Sequence, residues 1–502
     1  MNIVQLLHKS ARSYPEKWAL CLGLEKYARY GEFAEKVMSI GFYLREKKGI
    51  RVGDRVAMAL PNSPFFYEFL FAVWHIGGVI VPMNAKLHLR EWDYIATHSE
   101  ANYLLLSEDN IEPFQRQQTS ACVVETPSII MGSALEKEPY PAALRCPDDP
   151  AWIFYTSGTT GRPKGAVLTH RNLLVMTLSY FADIDQIKPE QTIIHAAPMS
   201  HGSGLYGLPH IAKAAMHVIP QSGGFQSDEF FQLLANYPEV TIFAAPTMVV
   251  RMMRSMNDET DTSNLRLICY GGGPMYVEDT RRALQVFGPK LVQIYGQGEA
   301  PMTIAALPRA AHLKLEDDED WLSRLASVGV ARTDVEIGIF DQNGEELGPL
   351  SIGEVAVRGD IVMSGYWNDP AATNAAIRNG WLFTGDMGFL DNKGFLFLKD
   401  RSKDLIISGG TNIYPREVEE ILLRHEAIWE VAVIGEPDEE WGENVVAFYA
   451  VRDGYHVTTE DLDAHCLGQL ARFKRPKKYI RLDDLPKNHY GKILKRSLRE
   501  QL

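Results

Sequence analysis

A chain of 502 residues is longer than one ordinary core encloses, so at least two domains are expected. With 46% hydrophobic and 23% charged residues the composition excludes a disordered or fibrous protein, and a formal charge of −13 excludes a surface that grips nucleic acid or anionic lipid throughout. Five cysteines, odd in number and with no CxxC, exclude a disulfide framework and a cysteine zinc site.

In chain order, the first residues, Met1-Asn2-Ile3-Val4 and soon His8 and Lys9, have neither the basic start nor the apolar stretch of a signal peptide. With the cysteine usage this predicts a cytoplasmic protein. The most membrane-like run, Phe65 to Val81, is interrupted by Glu68, His75 and Gly77-Gly78, which predicts a buried helix feeding a core strand and no integral membrane association. Apolar runs at Arg55 to Leu60, Gly78 to Pro82, Tyr103 to Leu106, Val240 to Ala245 and Leu265 to Tyr270 alternate with segments of helical period, the pattern of an α/β protein with largely parallel sheets.

After the apolar Trp152 to Phe154 comes Tyr155-Thr156-Ser157-Gly158-Thr159-Thr160-Gly161-Arg162-Pro163-Lys164-Gly165. Hydroxyls, glycine-freed backbone amides and a lysine in one short loop make a cradle for phosphate oxygens. It is not a Walker A loop, because Pro163 precedes Lys164 and glycine follows it. Further on, Gly202-Ser203-Gly204-Leu205-Tyr206-Gly207 satisfies GxGxxG, the fingerprint of an NAD dehydrogenase, but Pro198 interrupts the strand-to-turn junction which that motif needs. No GxSxG occurs, which removes the usual hydrolase elbow. Beyond Gly329 the texture becomes strand-like, with Val335 to Phe340 and Glu354 to Arg358 joined by the turn-forming Asp341-Gln342-Asn343-Gly344. Past Asp400 a unit of about a hundred residues carries its own strands, Val431 to Ile434 and Val445 to Tyr449, and helices.

The phosphate loop is followed, in order, by Gly271-Gly272-Gly273-Pro274, Tyr295-Gly296-Gln297-Gly298-Glu299, Thr384-Gly385-Asp386, Asp400-Arg401-Ser402-Lys403-Asp404 and Gly491-Lys492. This ordered set, over nearly the whole chain, resembles the adenylate-forming superfamily of acyl-CoA synthetases, luciferases and peptide-synthetase adenylation domains. The resemblance implies an α/β fold: a large N-terminal domain of layered, parallel-rich sheets with a β-rich subdomain, then a small mobile α+β C-terminal domain. The boundaries expected are 1–402 and 403–502, with Lys403 as hinge.

The same resemblance implies an AMP-forming acid–CoA ligase that uses ATP, Mg²⁺ and CoA, as monomer or homodimer. Thr156, Ser157, Gly158, Thr159, Thr160, Gly161 and Lys164 would hold phosphate; Gly272, Gly273 and Tyr295 would receive adenine, with Pro274, Gly296 and Gln297 also binding the nucleotide; Asp386 would meet ribose, and Arg401 ribose or phosphate. Glu299 would hold the metal, a hard cation that prefers oxygen. Lys492 would offset the repulsion between the attacking carboxylate and the α-phosphate. Gly298 departs from the family pattern, which has threonine there, so a hydroxyl contact to the α-phosphate is missing and water, Thr159 or Thr160 would replace it.

For the acceptor, Lys403-Asp404-Leu405-Ile406-Ile407-Ser408-Gly409-Gly410 resembles the acyl- and aryl-CoA ligase branch, 4-chlorobenzoate–CoA ligase included, more than peptide-synthetase domains. Gly410 and Trp441 are then expected near pantetheine. Arg472-Phe473-Lys474-Arg475-Pro476-Lys477-Lys478, with Phe473, Arg475 and Lys477 foremost, suits the CoA nucleotide, and a solvated basic face is the plain alternative. His201 falls where related ligases place a histidine or aromatic, as proton acceptor or as gate. The acyl pocket is expected around Gly202, Ser203, Gly204, Ala244, Ala245 and Met302, roomy and without lysine or arginine, which suits an aromatic or medium-to-long fatty acid. The competing readings are an enzyme that loads a carrier protein and a non-catalytic nucleotide-binding protein.

Overall fold

The computed structural model describes residues 1–132, 140–156, 162–257, 259–273, 275–315, 318–401, 404–408, 411–438, 441–487 and 493–502. Outside it lie Ser157 to Gly161, Pro274, Lys403, Gly410, Gly491 and Lys492, as does the side chain of Arg401. The expected boundary at Lys403 therefore falls beyond the described residues.

Among the described residues the strands form four sheets. The largest runs, in spatial order, Val330–Ala331, Ala305–Leu307, Leu291–Tyr295, Leu265–Tyr270, Val240–Ala244, Thr192–Ile194, Met216–Ile219, Trp18–Leu22 and Glu25–Arg29, parallel from Leu291–Tyr295 to Trp18–Leu22 and antiparallel at both edges. The second sheet orders Val123–Glu125, Ala101–Leu106, Arg55–Ala59, Val79–Pro82, Pro150–Thr156 and Lys164–Thr169, parallel except for the last pair. Strands buried on both faces read as continuous apolar runs, which is why the five short apolar runs named in the sequence are strands here.

The membrane-like stretch shows how sequence selects this layering. Pro64–His75 is a helix with proline at its first turn and every residue buried; it touches Val79–Pro82 of one sheet and Trp18–Leu22 of the other. A helix apolar all round belongs in a core. Its one carboxylate, Glu68, is met by Lys36 Nζ at 3.0 Å and by the Tyr27 hydroxyl at 3.2 Å. Gly77, at φ +80, ends the helix and turns the chain into the strand. No helix is long and apolar enough to cross a membrane among the described residues.

The β-rich region is a third sheet of Glu336–Phe340, Gly353–Arg358, Trp381–Leu390 and Ile377–Arg378, with Leu396–Arg401 alongside Trp381–Leu390. The turn at Asp341 to Gly344 forms, but it returns the chain to Glu346, opposite Phe340, and the next strand begins only at Gly353. Beyond it, Ile428–Asp438 and Gly442–Val451 pair antiparallel over nearly their full length, with Ile406–Ser408, Thr411–Ile413 and Lys478–Arg481 flanking. This unit has its own apolar cores, one around Val418, Leu422, Val433 and Ala447 and one around Ile434, Phe448 and Leu498.

Candidate active site

Four adjacent parallel strands of the largest sheet end at one edge, and candidate residues follow each of them. After Thr192–Ile194 comes the stretch to His201, after Val240–Ala244 comes Ala245, after Leu265–Tyr270 come Gly271 to Gly273, and after Leu291–Tyr295 come Gly296 to Glu299. The carboxyl ends of parallel strands are where α/β sheets receive ligands. Gly271 permits the close approach there, since a Cβ on it would lie 2.6 Å from the Ile294 carbonyl oxygen. Gly272 takes φ +81 with open space before it.

Two carboxylates face this edge, each oriented by the protein. Asp386, in the strand Trp381–Leu390, accepts at Oδ2 from the Tyr295 hydroxyl at 2.6 Å and from Gln297 Nε2 at 2.7 Å. Gln297 Nε2 also donates to the Thr384 carbonyl at 2.9 Å. The Thr384 hydroxyl binds the Val355 carbonyl at 2.7 Å and accepts from the Asp386 amide at 3.1 Å, while Gly385 takes φ +73. Tyr295 thus acts here as an anchor for Asp386, an interaction that no motif signals beside the adenine role. The backbone of Arg401 lies directly opposite Asp386 in the neighbouring strand.

Glu299, 9% exposed, accepts at Oε1 from Thr156 Oγ1 at 3.1 Å and from the Tyr366 hydroxyl at 2.8 Å. Lys164 Nζ stands 5.3 Å from the centre of the Tyr366 ring, and Thr156 and Lys164 are paired across the hairpin that carries the phosphate loop. Tyr366 is held by the pairing of its own segment with Ala166, Val167 and Gly165. It lies 67 positions from Glu299, so no spacing pattern marks it. Gly298 is explained sterically: a Cβ there would sit 2.5 Å from Thr156 Cγ2 and 2.7 Å from Phe154 Cδ1. The space of the missing threonine is taken by Thr156, whose hydroxyl points to Glu299. A divalent cation fits this corner as one with a single protein carboxylate, its other ligands coming from triphosphate and water. No group of three or more histidine, cysteine or carboxylate side chains suited to a metal occurs among the described residues.

His201 lies edge-on to Phe154 with ring centres 4.9 Å apart, and its Nδ1 is 2.9 Å from Ser200 Oγ. Burial pulls its pKa down to about 4. It is therefore neutral at pH 7 but a feeble acceptor for a thiol proton, which weighs toward a gate.

The acyl-pocket set divides. Gly202 and Met302 meet at Phe243: a Cβ on Gly202 would lie 2.6 Å from Phe243 Cε1 and 2.8 Å from Met302 Cε. Ala245 is half-buried at the start of the helix Pro246–Ser255, and Ala244 is enclosed in its strand. Ser203 and Gly204 are both buried. Ser203 is fully buried and bonded to His195 Nδ1 at 2.8 Å, and a Cβ on Gly204 would fall 1.8 Å from the Met199 carbonyl oxygen. Both pack the helix Gly202–Ala212 against its surroundings and offer no room to a tail. The last glycine of the GxGxxG match serves the same packing, since a Cβ on Gly207 would strike the Tyr67 hydroxyl. A cation is near after all: Arg332, 2% exposed, donates from Nη1 to the Met302 carbonyl at 3.4 Å. It comes from beyond Gly329, brought there by the pairing of Val330–Ala331 with Ala305–Leu307.

The basic segment is largely paired within the protein. Arg475 is paired with Asp463, Lys474 with Glu417 at 2.7 Å and Lys478 with Glu436 at 3.0 Å, so three of its cations meet carboxylates of their own domain. Arg472, Phe473 and Lys477 are exposed, as is Trp441, which suits recognition of a partner from solvent.

A family model described as AMP-binding enzyme matches residues 7–367. The chain belongs to the AMP-binding enzyme family. A second model, the AMP-binding enzyme C-terminal domain, matches residues 417–492. This AMP-binding enzyme is 32% identical to a long-chain-fatty-acid–CoA ligase of Bacillus subtilis over all of its own length and 94% of the relative's. It is 33% identical to a feruloyl-CoA synthase of Amycolatopsis, covering 94% of this chain and 93% of the relative. Among solved structures, ATP-bound MatB from Rhodopseudomonas palustris superposes with a TM-score of 0.90 at 30% identity, covering 100% of this chain and 99% of that one. The apo form of the same protein, again at 30% identity, superposes with a TM-score of 0.80, covering 100% and 98%. The relatives include AMP-forming ligases that join fatty and aromatic acids to CoA, and this enzyme is an acid–thiol ligase that works through an acyl-adenylate.

Proposed function

We propose that this enzyme activates an aromatic or medium-to-long aliphatic acid in the cytoplasm and that the residues at the strand ends divide the work as follows. Gly271 to Gly273 take the adenine face, and Asp386, fixed by Tyr295 and Gln297, takes the ribose hydroxyls. Arg401 assists. Lys164 and the hydroxyl-rich loop from Thr156 to Gly161 hold the triphosphate. Glu299 would hold a magnesium ion, whose charge would offset that of the pyrophosphate leaving group. The carboxylate then approaches the α-phosphate past His201, with Lys492 offsetting the charge that develops. CoA follows through the Gly410 and Trp441 side, its nucleotide near Phe473 and Lys477, after the C-terminal domain turns about Lys403.

The observation that carries the reading is the pair of carboxylates, Asp386 and Glu299, each oriented by two donors of the protein at one sheet edge. Preorganisation of this kind is what electrostatic stabilisation of phosphoryl transfer requires. The test is product analysis with ATP, Mg²⁺, a panel of acids, and CoA present or absent: AMP and pyrophosphate support the reading, ADP and phosphate overturn it. A second reading, transfer to a carrier protein, is favoured by 33% identity to a fatty acid–[acyl-carrier-protein] ligase of Streptomyces coeruleorubidus over 90% of this chain. It predicts thioester formation with phosphopantetheinylated carrier and none with CoA.

A further inference from the structure

Behind Met302 lies a cluster of buried polar groups that the nucleotide chemistry does not use. Arg332 is 2% exposed, Tyr206 1% and Tyr180 0%. Arg332 Nε donates to Asp183 Oδ2 at 2.8 Å, and its Nη1 reaches the Met302 carbonyl at 3.4 Å. The Tyr206 hydroxyl donates to the same carbonyl at 3.2 Å. Arg332 Nη2 and the Tyr180 hydroxyl, both buried, have no hydrogen-bond partner. The Tyr180 and Tyr206 rings meet edge-on with centres 5.0 Å apart, and Tyr206 meets Phe243 in the same way at 5.8 Å. Buried donors without an acceptor forfeit their hydration, and in native proteins they generally meet a water or a ligand.

Their position connects them to the acyl pocket. Met302 stands at φ +62, a left-handed conformation uncommon for methionine, with its carbonyl gripped by Tyr206 and Arg332 and its side chain beside Gly202 and Phe243. Methionine is unbranched and adaptable, so a tail entering past Gly202 meets one yielding side chain before the polar groups. We propose that this cluster is the far end of the acyl pocket and that it selects acids carrying an uncharged oxygen acceptor, a carbonyl or hydroxyl, on the tail distal to the carboxylate. The inference rests on the acid-activating reading above. It names a neutral acceptor because Asp183 already balances the Arg332 charge, and Asp183 is further held by the Thr333 amide at 3.1 Å and the Thr333 hydroxyl. A second carboxylate would bring an uncompensated charge into this buried pair.

The experiment measures kcat/KM for pyrophosphate release with saturated acids and with counterparts bearing an oxo or hydroxy group at successive tail positions. Wild type, Tyr180→Phe and Arg332→Lys are compared; both variants keep the ring packing or the Asp183 pairing. At one tail position the substituted acid should exceed its parent by about tenfold or more, and each variant should cut that ratio by roughly tenfold, with the parent acid within about twofold in Tyr180→Phe. A ratio near or below unity at every position, or a ratio unmoved in both variants, assigns the cluster to a bridging water and overturns the inference while leaving acid activation standing. Release of no pyrophosphate with any acid overturns both.

Discussion

Restoring the family's threonine by Gly298→Thr puts the account of the metal corner under direct stress. The new Cβ would lie 2.5 Å from Thr156 Cγ2 and 2.7 Å from Phe154 Cδ1. Carbon atoms prefer about 3.5–4.0 Å, so roughly 1 Å of overlap must be relieved against two neighbours. Thr156 is poorly placed to give way, because it is β-branched, ends the strand Pro150–Thr156 and holds Glu299 through its hydroxyl at 3.1 Å. Overpacking of this kind costs about 1–3 kcal/mol. At roughly 2–4 °C per kcal/mol for a domain of 150–250 residues, and less for a larger one, the melting temperature should fall by a few degrees. If Thr156 turns away instead, Glu299 loses one donor and pyrophosphate release slows. Thr156→Ser removes the offending methyl and keeps the hydroxyl, so the double variant Thr156→Ser/Gly298→Thr should recover part of both losses. Urea unfolding and pyrophosphate-release assays on the four proteins of this cycle give the coupling. Wild-type stability and activity in Gly298→Thr, or strict additivity in the double variant, would refute the steric argument.

Asp386→Asn should raise the KM for ATP by about ten- to a hundredfold, the worth of hydrogen bonds to a charged group, and leave unfolding nearly unchanged because Tyr295 and Gln297 still find an oxygen; steady-state kinetics at varied ATP checks it. Gly204→Ala should destabilise by about 3 kcal/mol or more without altering chain-length preference, whereas Ala245→Phe should cut activity toward long acids with little loss of stability; thermal melts and an acid panel separate the two. Buried His75, His170, His201, His210 and His312 have pKa values pulled down to about 4, and His195 to about 3, all by desolvation. Each is neutral in the folded protein and takes a proton on unfolding below its ordinary value of 6.5, so their stabilisation is complete above that pH and is lost as pH falls toward 4. Urea midpoints should drop steeply between pH 6.5 and pH 4 and less so in His201→Phe; a flat profile would contradict the desolvation.

The strand runs were legible because parallel strands buried on both faces leave uninterrupted apolar sequence, and the helix at Pro64–His75 because proline and Gly77-Gly78 bracket it. The motif residues were legible because phosphate, ribose and metal each demand few residue types. The partnerships were not. Tyr366 reaches Glu299, and Arg332 reaches Met302, only through sheet pairings that join distant segments. Glycine proved ambiguous for a physical reason. Absence of a side chain marks space in front of Gly272 and its opposite at Gly204, where neighbouring backbone fills that place. Arg475 likewise reads as available charge until the fold brings Asp463 to it.

The central claim is that the acid's own oxygen attacks the α-phosphate at the edge formed by Asp386 and Glu299, and oxygen transfer tests it most directly. With both carboxylate oxygens of the acid labelled with heavy oxygen, and ATP, Mg²⁺ and CoA supplied, mass spectrometry of the nucleotide product should find AMP carrying one labelled oxygen and the thioester carrying the other. Unlabelled AMP, or ADP with the label in phosphate, would contradict the adenylate and with it the roles given to these residues.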